Sequence, residues 1–234
     1  MTAPEFDQYA ASYDKLLSDP IRDCFVGTDS DFFHRRKCDL IRNYFRRSAT
    51  DTSEMSYLDV GCGQGKLISL LRGDFARVAG CDVSPGMVAN AQGFNVRLQA
   101  DPCRVPFDNC EFDLATAVCV YQHVSVDNRA ALTREIARVL KPGGTLAIVE
   151  HNPYNPVTRL IVSRSPVDRD ACLLSAKEAR ALEVGAGLTP TATSYFLFFP
   201  EFIYKHGGAV VERGIWMCPL GGQYAAFGKK CTNE

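Results

Sequence analysis

The chain has 234 residues, 46% of them hydrophobic and 23% charged, and its 26 Lys and Arg nearly cancel 27 Asp and Glu, leaving a formal net charge of −1. Such proportions fit a single globular domain with a proper core and argue against disorder or a collagen-like repeat. Without a basic excess there is no support for sequence-independent binding to nucleic acid, and no run approaches the about 18 apolar residues of a membrane-spanning helix.

The opening residues Met1-Thr-Ala-Pro-Glu-Phe-Asp7 lack a basic cap followed by an apolar run, so no secretory leader is expected. The ten cysteines include no C-x-x-C pair, which speaks against a metal or redox motif. Several lie in apolar runs, where Cys behaves as a small buried hydrophobe. A disulfide framework is not expected, and a reducing, cytoplasmic setting is.

Residues 1–50 read as helical. In the stretch Asp31 to Arg47, Phe33, Leu40, Ile41, Tyr44 and Phe45 fall near one face, and the basic residues fall mostly on the other, read as solvated. From Tyr57 short apolar runs alternate with amphipathic segments. Strands are expected at Tyr57–Val60, Arg77–Cys81, Val96–Gln99 and Phe112–Val118, with helices at Lys66–Leu71, Pro85–Gln92 and Asp127–Leu140. Lys141-Pro-Gly-Gly144 stops the last helix and turns into a strand at Thr145–Val149. After Glu150 come a Pro-rich loop to Pro156, a short helix, a second helix opened by Ser175, and two late strands, Thr189–Phe199 and Gly222–Phe227, around an irregular insertion. This alternation means an α/β fold, a doubly wound and mostly parallel sheet flanked by helices, with no clean domain boundary.

The strongest signal is Asp59-Val-Gly-Cys-Gly-Gln-Gly65, between a strand and a helix. Glycines there admit a ligand close to the backbone, and the helix start turns free N–H groups outward. A dinucleotide loop wants G-x-G-x-x-G, but the sixth position is Lys66. Asp59 would also repel a pyrophosphate, whereas it suits a ligand with a positive end, such as S-adenosylmethionine.

Residues Tyr57 to Glu150 resemble the core of the class I S-adenosylmethionine-dependent methyltransferases, small-molecule type. Five stations carry the likeness: the loop from Asp59, then Gly80-Cys-Asp82-Val-Ser-Pro85, Ala100-Asp101 through Pro106-Phe107, Phe112-Asp113 through Val124, and Arg138-Val-Leu-Lys-Pro-Gly-Gly144. The resemblance implies a seven-stranded Rossmann-like sheet, with residues 1–50 as a helical lid, 51–150 as the cofactor-binding core and 151–234 on the acceptor side. It implies S-adenosyl-L-methionine as cofactor and S-adenosyl-L-homocysteine as product. Asp59, Gly61 and Gly63 would hold the cofactor, Asp59 toward its positive end, and Asp82 would accept both ribose hydroxyls. Val83 and Met87 would pack on the adenine, or serve as core, and Asp101 beside Pro102 would accept its amino group. Cys119 would run past the methionine portion, its backbone mattering more than its thiol. Tyr9 and Tyr13 resemble the aromatic residues of the family's lid, or are plain core.

Methyl transfer needs alignment and a way to remove the acceptor's proton, which points to histidine. His123 sits just past the fourth strand at the rim facing the methyl group and is the first choice. Gln122 stands where related members have a second histidine. Glu150 and His151 follow the fifth strand, and Glu150 would orient the base or share its role. The expected activity is methylation of a small organic molecule at oxygen. Carbon methylation of a quinone, polyketide or lipid-linked acceptor is an alternative, as is a binding protein without turnover. Tyr195 to Tyr204 is unusually aromatic, either a buried late strand or a wall for a greasy acceptor. No metal, nucleic-acid partner or stable membrane insertion is expected, and the sequence leaves the oligomeric state open.

Overall fold

The computed structural model describes Asp7, residues 31–91 and residues 93–232. Its strands are β1 (Ser56–Val60), β2 (Arg77–Asp82), β3 (Asn95–Leu98), β4 (Phe112–Val118), β5 (Leu140–His151), β6 (Leu188–Phe196) and β7 (Gln223–Lys230). Its helices are α1 (Phe32–Arg47), α2 (Lys66–Leu71), α3 (Pro85–Asn90), α4 (Val126–Val139), α5 (Pro156–Arg164), α6 (Ala176–Gly185), α7 (Glu201–Lys205) and α8 (Gly208–Ile215). The strands form one sheet in the order β3-β2-β1-β4-β5-β7-β6, parallel except for β7, which runs antiparallel to both neighbours.

The central strands read as unbroken apolar runs because both faces are covered. Alternate residues (Leu58, Val60, Ala115, Ala117, Leu146, Ile148) pack with α4 and α6 on one face. Tyr57 and Leu114 meet Ile41 and Phe45 of α1 and Ile68 of α2 on the other. The chain steps outward from β1 to β3, then returns to build β4 and β5 on the opposite side. β1 and β4 are therefore neighbours, Val60 opposite Ala117, and the loops leaving their carboxyl ends diverge around a crevice. Helix starts carry their own caps: Ser84 accepts from Met87 ahead of Pro85, and Ser175 with Glu178 closes a capping box.

Four expectations change. β6 ends at Phe196, not Phe199, because Leu197 turns to φ +61° and the amides of Leu197 and Phe198 donate to the Glu212 carboxylate. The insertion after it is helical, holding α7 and α8. Lys141 to Gly144 does not interrupt β5; Leu140 stands opposite Phe112 and Thr145 opposite Leu114, so the intervening residues bulge out of register. On α1, Phe32, Lys37 and Cys38 join Ile41 and Phe45 in the buried stripe, so one basic residue points inward. The lid expected over residues 1–50 falls mostly outside the described residues, Tyr9, Tyr13 and all but Asp7 of the first 30 among them.

Candidate active site

The crevice above β1 and β4 begins with the glycine loop. Gly61 and Gly63 have φ of 70° and 53°. A Cβ on Gly61 would lie 2.4 Å from a Val120 methyl, whereas one on Gly63 would meet nothing within 4 Å. Gly61 thus lets the loop after β4 approach, and Gly63 keeps the cradle open to a ligand. The Gly61 and Cys62 amides donate to the Cys81 carbonyl at 2.8 and 3.0 Å, tying the loop to β2.

Asp82 ends β2 beside that loop. Its Oδ2 accepts the Gly63 amide at 2.8 Å and its Oδ1 the Ser84 amide at 2.9 Å. These amides fix the carboxylate and leave it lone-pair capacity toward the crevice, which suits hydroxyl donors. Burial raises its pKa from the ordinary value, against the pull of the Ser84, Gly63 and Val83 amides. Met87 is buried and Val83 half-buried just beyond. Asp7 reaches this corner, accepting from the Ser84 hydroxyl at 2.9 Å and the Gly86 amide at 2.7 Å.

Asp101 and Pro102 are exposed, and Asp101 Oδ1 accepts the Cys103 amide at 2.8 Å, shaping its own turn. Sequence reasoning passed over the buried Gln99, which fastens this turn to β2. Its side-chain amide donates to the Pro102 carbonyl at 2.9 Å, and its own carbonyl receives the Cys81 thiol at 3.4 Å.

Asp59 is buried at the base of the crevice. Its Oδ1 accepts the Thr116 hydroxyl at 2.6 Å, and Tyr57 lies 2.8 Å behind that hydroxyl. Burial lifts the carboxyl to about 7, with Asp82 adding to the rise and Thr116 and Lys37 opposing it. Lys37 is the second residue sequence reasoning missed, since it was assigned to a solvated face. Its aliphatic stem lies in the α1 stripe and its Nζ is 3.9 Å from Cys119 Sγ. The ammonium also acts on Asp59 and Glu150. Cys119 sits at φ +55° with its amide on the Val149 carbonyl at 2.8 Å, and burial pushes its thiol up to about 12.

A carboxyl poised at about 7 in this crevice makes its charge, and any affinity that depends on it, sensitive to pH. Ionised Asp59 attracts an ammonium or sulfonium and its protonated form does not. Affinity for S-adenosylmethionine is therefore expected to rise from pH 6 to pH 8 in calorimetric titration, and Asp59→Asn to flatten that rise. A wild-type affinity that falls over this range would remove Asp59 from the cationic end.

The rim beyond Cys119 is a short 3-10 turn, Tyr121–His123. Sequence reasoning put Glu150 on this rim, but the structure buries it completely below, where Oε1 accepts the Tyr121 amide at 2.7 Å. Burial lifts that carboxyl to about 8, against the Tyr121 and Val120 amides and the charges of Arg129 and Lys37. His123 and His151 come together through Gln122 and through Asp168, a third residue missed in the sequence.

Asp168 Oδ1 lies 2.7 Å from Gln122 Nε2. An ionised carboxylate only accepts, so the amide nitrogen must face it and the amide oxygen must face His151. That oxygen is 2.8 Å from His151 Nδ1, so Nδ1 carries the hydrogen and Nε2 carries the lone pair when the ring is neutral. His123 Nε2 is 3.1 Å from the same amide nitrogen and 3.4 Å from Asp168 Oδ1. Burial raises the Asp168 carboxyl, but the His123 hydrogen bond and the His151 charge outweigh it, and the net shift is downward.

Residues 58–148 match the family model described as a methyltransferase domain. Over 102 residues the chain is 39% identical to a demethylmenaquinone methyltransferase of Corynebacterium kroppenstedtii, covering 43% of this chain and 44% of that protein. Over 113 residues it is 33% identical to a tRNA (carboxymethyluridine(34)-5-O)-methyltransferase of Arabidopsis thaliana, covering 47% of this chain and 27% of that protein. Matched segments thus span less than half the length of these curated relatives. The fold is shared with an S-adenosylmethionine-dependent methyltransferase from Archaeoglobus fulgidus, at a TM-score of 0.61 and 17% identity, covering 86% of this chain and 97% of that one. The glycine loop and the fixed strand-end carboxylate thus lie within a stretch, residues 58–148, that is similar to a methyltransferase domain, and the fold around it is that of solved S-adenosylmethionine-dependent methyltransferases.

Proposed function

We propose that the chain moves the methyl group of S-adenosylmethionine to the hydroxyl oxygen of a small organic acceptor, with His151 as the base. The cofactor fits the residues present: an open glycine cradle, a preset carboxylate for two hydroxyls, and a buried acid beside a buried ammonium. In this reading Asp82 holds the ribose, Val83 and Met87 flank the adenine, and Asp101 with Pro102 borders its amino group. Asp59, Gly61, Gly63 and the Cys119 backbone hold the methionine portion, with Lys37 toward its carboxylate. The bound cofactor supplies an electrophilic methyl group on a charged sulfur.

The observation that carries the reading is the one-directional hydrogen-bond chain from Asp168 through Gln122 to His151. It fixes the tautomer with the lone pair on Nε2, which takes the acceptor's hydroxyl proton as that oxygen forms its bond to the methyl carbon. His123, first choice from sequence order, has its Nε2 engaged with Gln122 and Asp168 and therefore positions the network. Glu150 braces the 3-10 turn from below rather than exchanging protons.

The same base would serve carbon methylation, since deprotonating a ring hydroxyl makes the adjacent carbon nucleophilic. Likeness to a demethylmenaquinone methyltransferase supports this second reading. Methyl-labelled cofactor offered with phenol, enol and naphthoquinol acceptors, followed by product fragmentation, is expected to place the label on oxygen. Label on carbon selects the second reading. Cofactor binding without label in any acceptor favours a protein that has lost turnover.

A further inference from the structure

Helices α5, α7 and α8 and the turn after α8 carry apolar side chains that the fold leaves in water. Phe202 is 61% exposed, Val210 67%, Val211 55% and Met217 70%. The segment after α8 runs back to the start of α5, where the Asn155 side chain donates to the Leu220 carbonyl at 2.7 Å and Asn152 to the Pro219 carbonyl at 2.9 Å. Exposed Tyr154, Leu160 and Leu220 therefore extend the same surface. An apolar patch of this breadth on a globular protein marks a binding face.

The charges around it select what binds. Arg159 and Arg164 of α5, Lys205 of α7 and Arg213 of α8 are exposed. The acids of these helices are buried: Glu201 pairs with Lys205 at 2.8 Å, and Glu212 pairs with Arg36 and takes the Tyr204 hydroxyl. Lys205 is thus balanced by Glu201, and the charge these helices show to solvent comes from the arginines, interleaved with apolar tips. A second copy meeting this face across a two-fold axis would set cation against cation, and nucleic acid has no use for the Val and Met side chains.

We propose that this face docks on an anionic lipid bilayer, with Phe202, Val210, Val211 and Met217 entering the acyl boundary and the arginines among the headgroups. Among the described residues no helix is long and apolar enough to cross a membrane, so the contact is peripheral. The face adjoins the rim, because Asn152 follows His151 and holds the Pro219–Gly221 turn. On the reading of the site given above, an acceptor dissolved in lipid reaches His151 without passing through bulk water.

The test sediments the full chain with vesicles of phosphatidylcholine alone and of phosphatidylcholine with one-third phosphatidylglycerol. Binding to the anionic vesicles is expected, weakening as salt is raised. V210E/M217E, altered only at exposed positions, is expected to keep the wild-type melting temperature and lose about tenfold or more in partitioning. R159E/R213E is expected to lose binding to the anionic vesicles while remaining folded. No sedimentation with either vesicle, or equal sedimentation of wild type and both variants, overturns the proposal. So does a concentration-dependent dimer that V210E/M217E abolishes. No methyl donor enters the assay, so its failure and failure of the methyl-transfer reading are separate results.

Discussion

Asp82→Ala is expected to weaken S-adenosylmethionine binding by about 1–3 kcal/mol, the scale of lost charge-assisted hydrogen bonds. That is roughly a five- to 150-fold rise in the dissociation constant measured by calorimetry. The carboxylate acts twice: its free lone pairs suit the ribose hydroxyls, and its other lone pairs anchor the Gly63 and Ser84 amides. Asp82→Asn separates these roles. An amide nitrogen would face one of two backbone N–H groups and repel it, so the asparagine variant is expected to lose affinity too, despite its matching shape. Melting curves of both variants show whether the loop alone was disturbed. Unchanged affinity in both would take Asp82 out of the cofactor site.

His151→Ala is expected to lower kcat by about 10²–10⁴, the usual worth of a positioned general base, with cofactor affinity nearly intact. Asp168→Asn tests the chain behind it. An asparagine amide opposite Gln122 Nε2 no longer forces the Gln122 oxygen toward His151, so the tautomer is no longer fixed. That variant is expected to lose kcat with little change in KM for the acceptor, and its pH profile is expected to shift. Full turnover in His151→Ala would mean that alignment alone drives the reaction. Loss in His123→Ala but not in His151→Ala would return the base role to His123.

The sheet was legible because its signals are local. Apolar runs punctuated by glycine and proline place β1, β2, β4 and the helices between them to within a residue or two, and Phe112–Val118 and Lys66–Leu71 coincide with the observed elements. The positions of Asp59, Gly61, Gly63 and Asp82 around the crevice were equally readable, since each lies at or just past a strand end whose neighbours announce it. Lys37, Asp168 and Glu212 were not. Each is a charged residue taken out of water, against the usual preference of its type, and each meets its partner across a long stretch of chain. Lys37 reaches Cys119, Asp168 reaches Gln122, and Glu212 reaches Arg36. The end of β6 was misread for the same reason, because an aromatic run looks like a continuing strand until a distant carboxylate captures its amides.

Glu212 has one more consequence. Arg36, its cation, is the immediate neighbour on α1 of Lys37, whose ammonium acts on Asp59. Raising α8 strands a sheltered anion unless Arg36 travels with it, and Arg36 cannot travel far without drawing Lys37 away from Asp59. The position of α8 and the charge beside Asp59 are thereby yoked through one ion pair and one peptide bond.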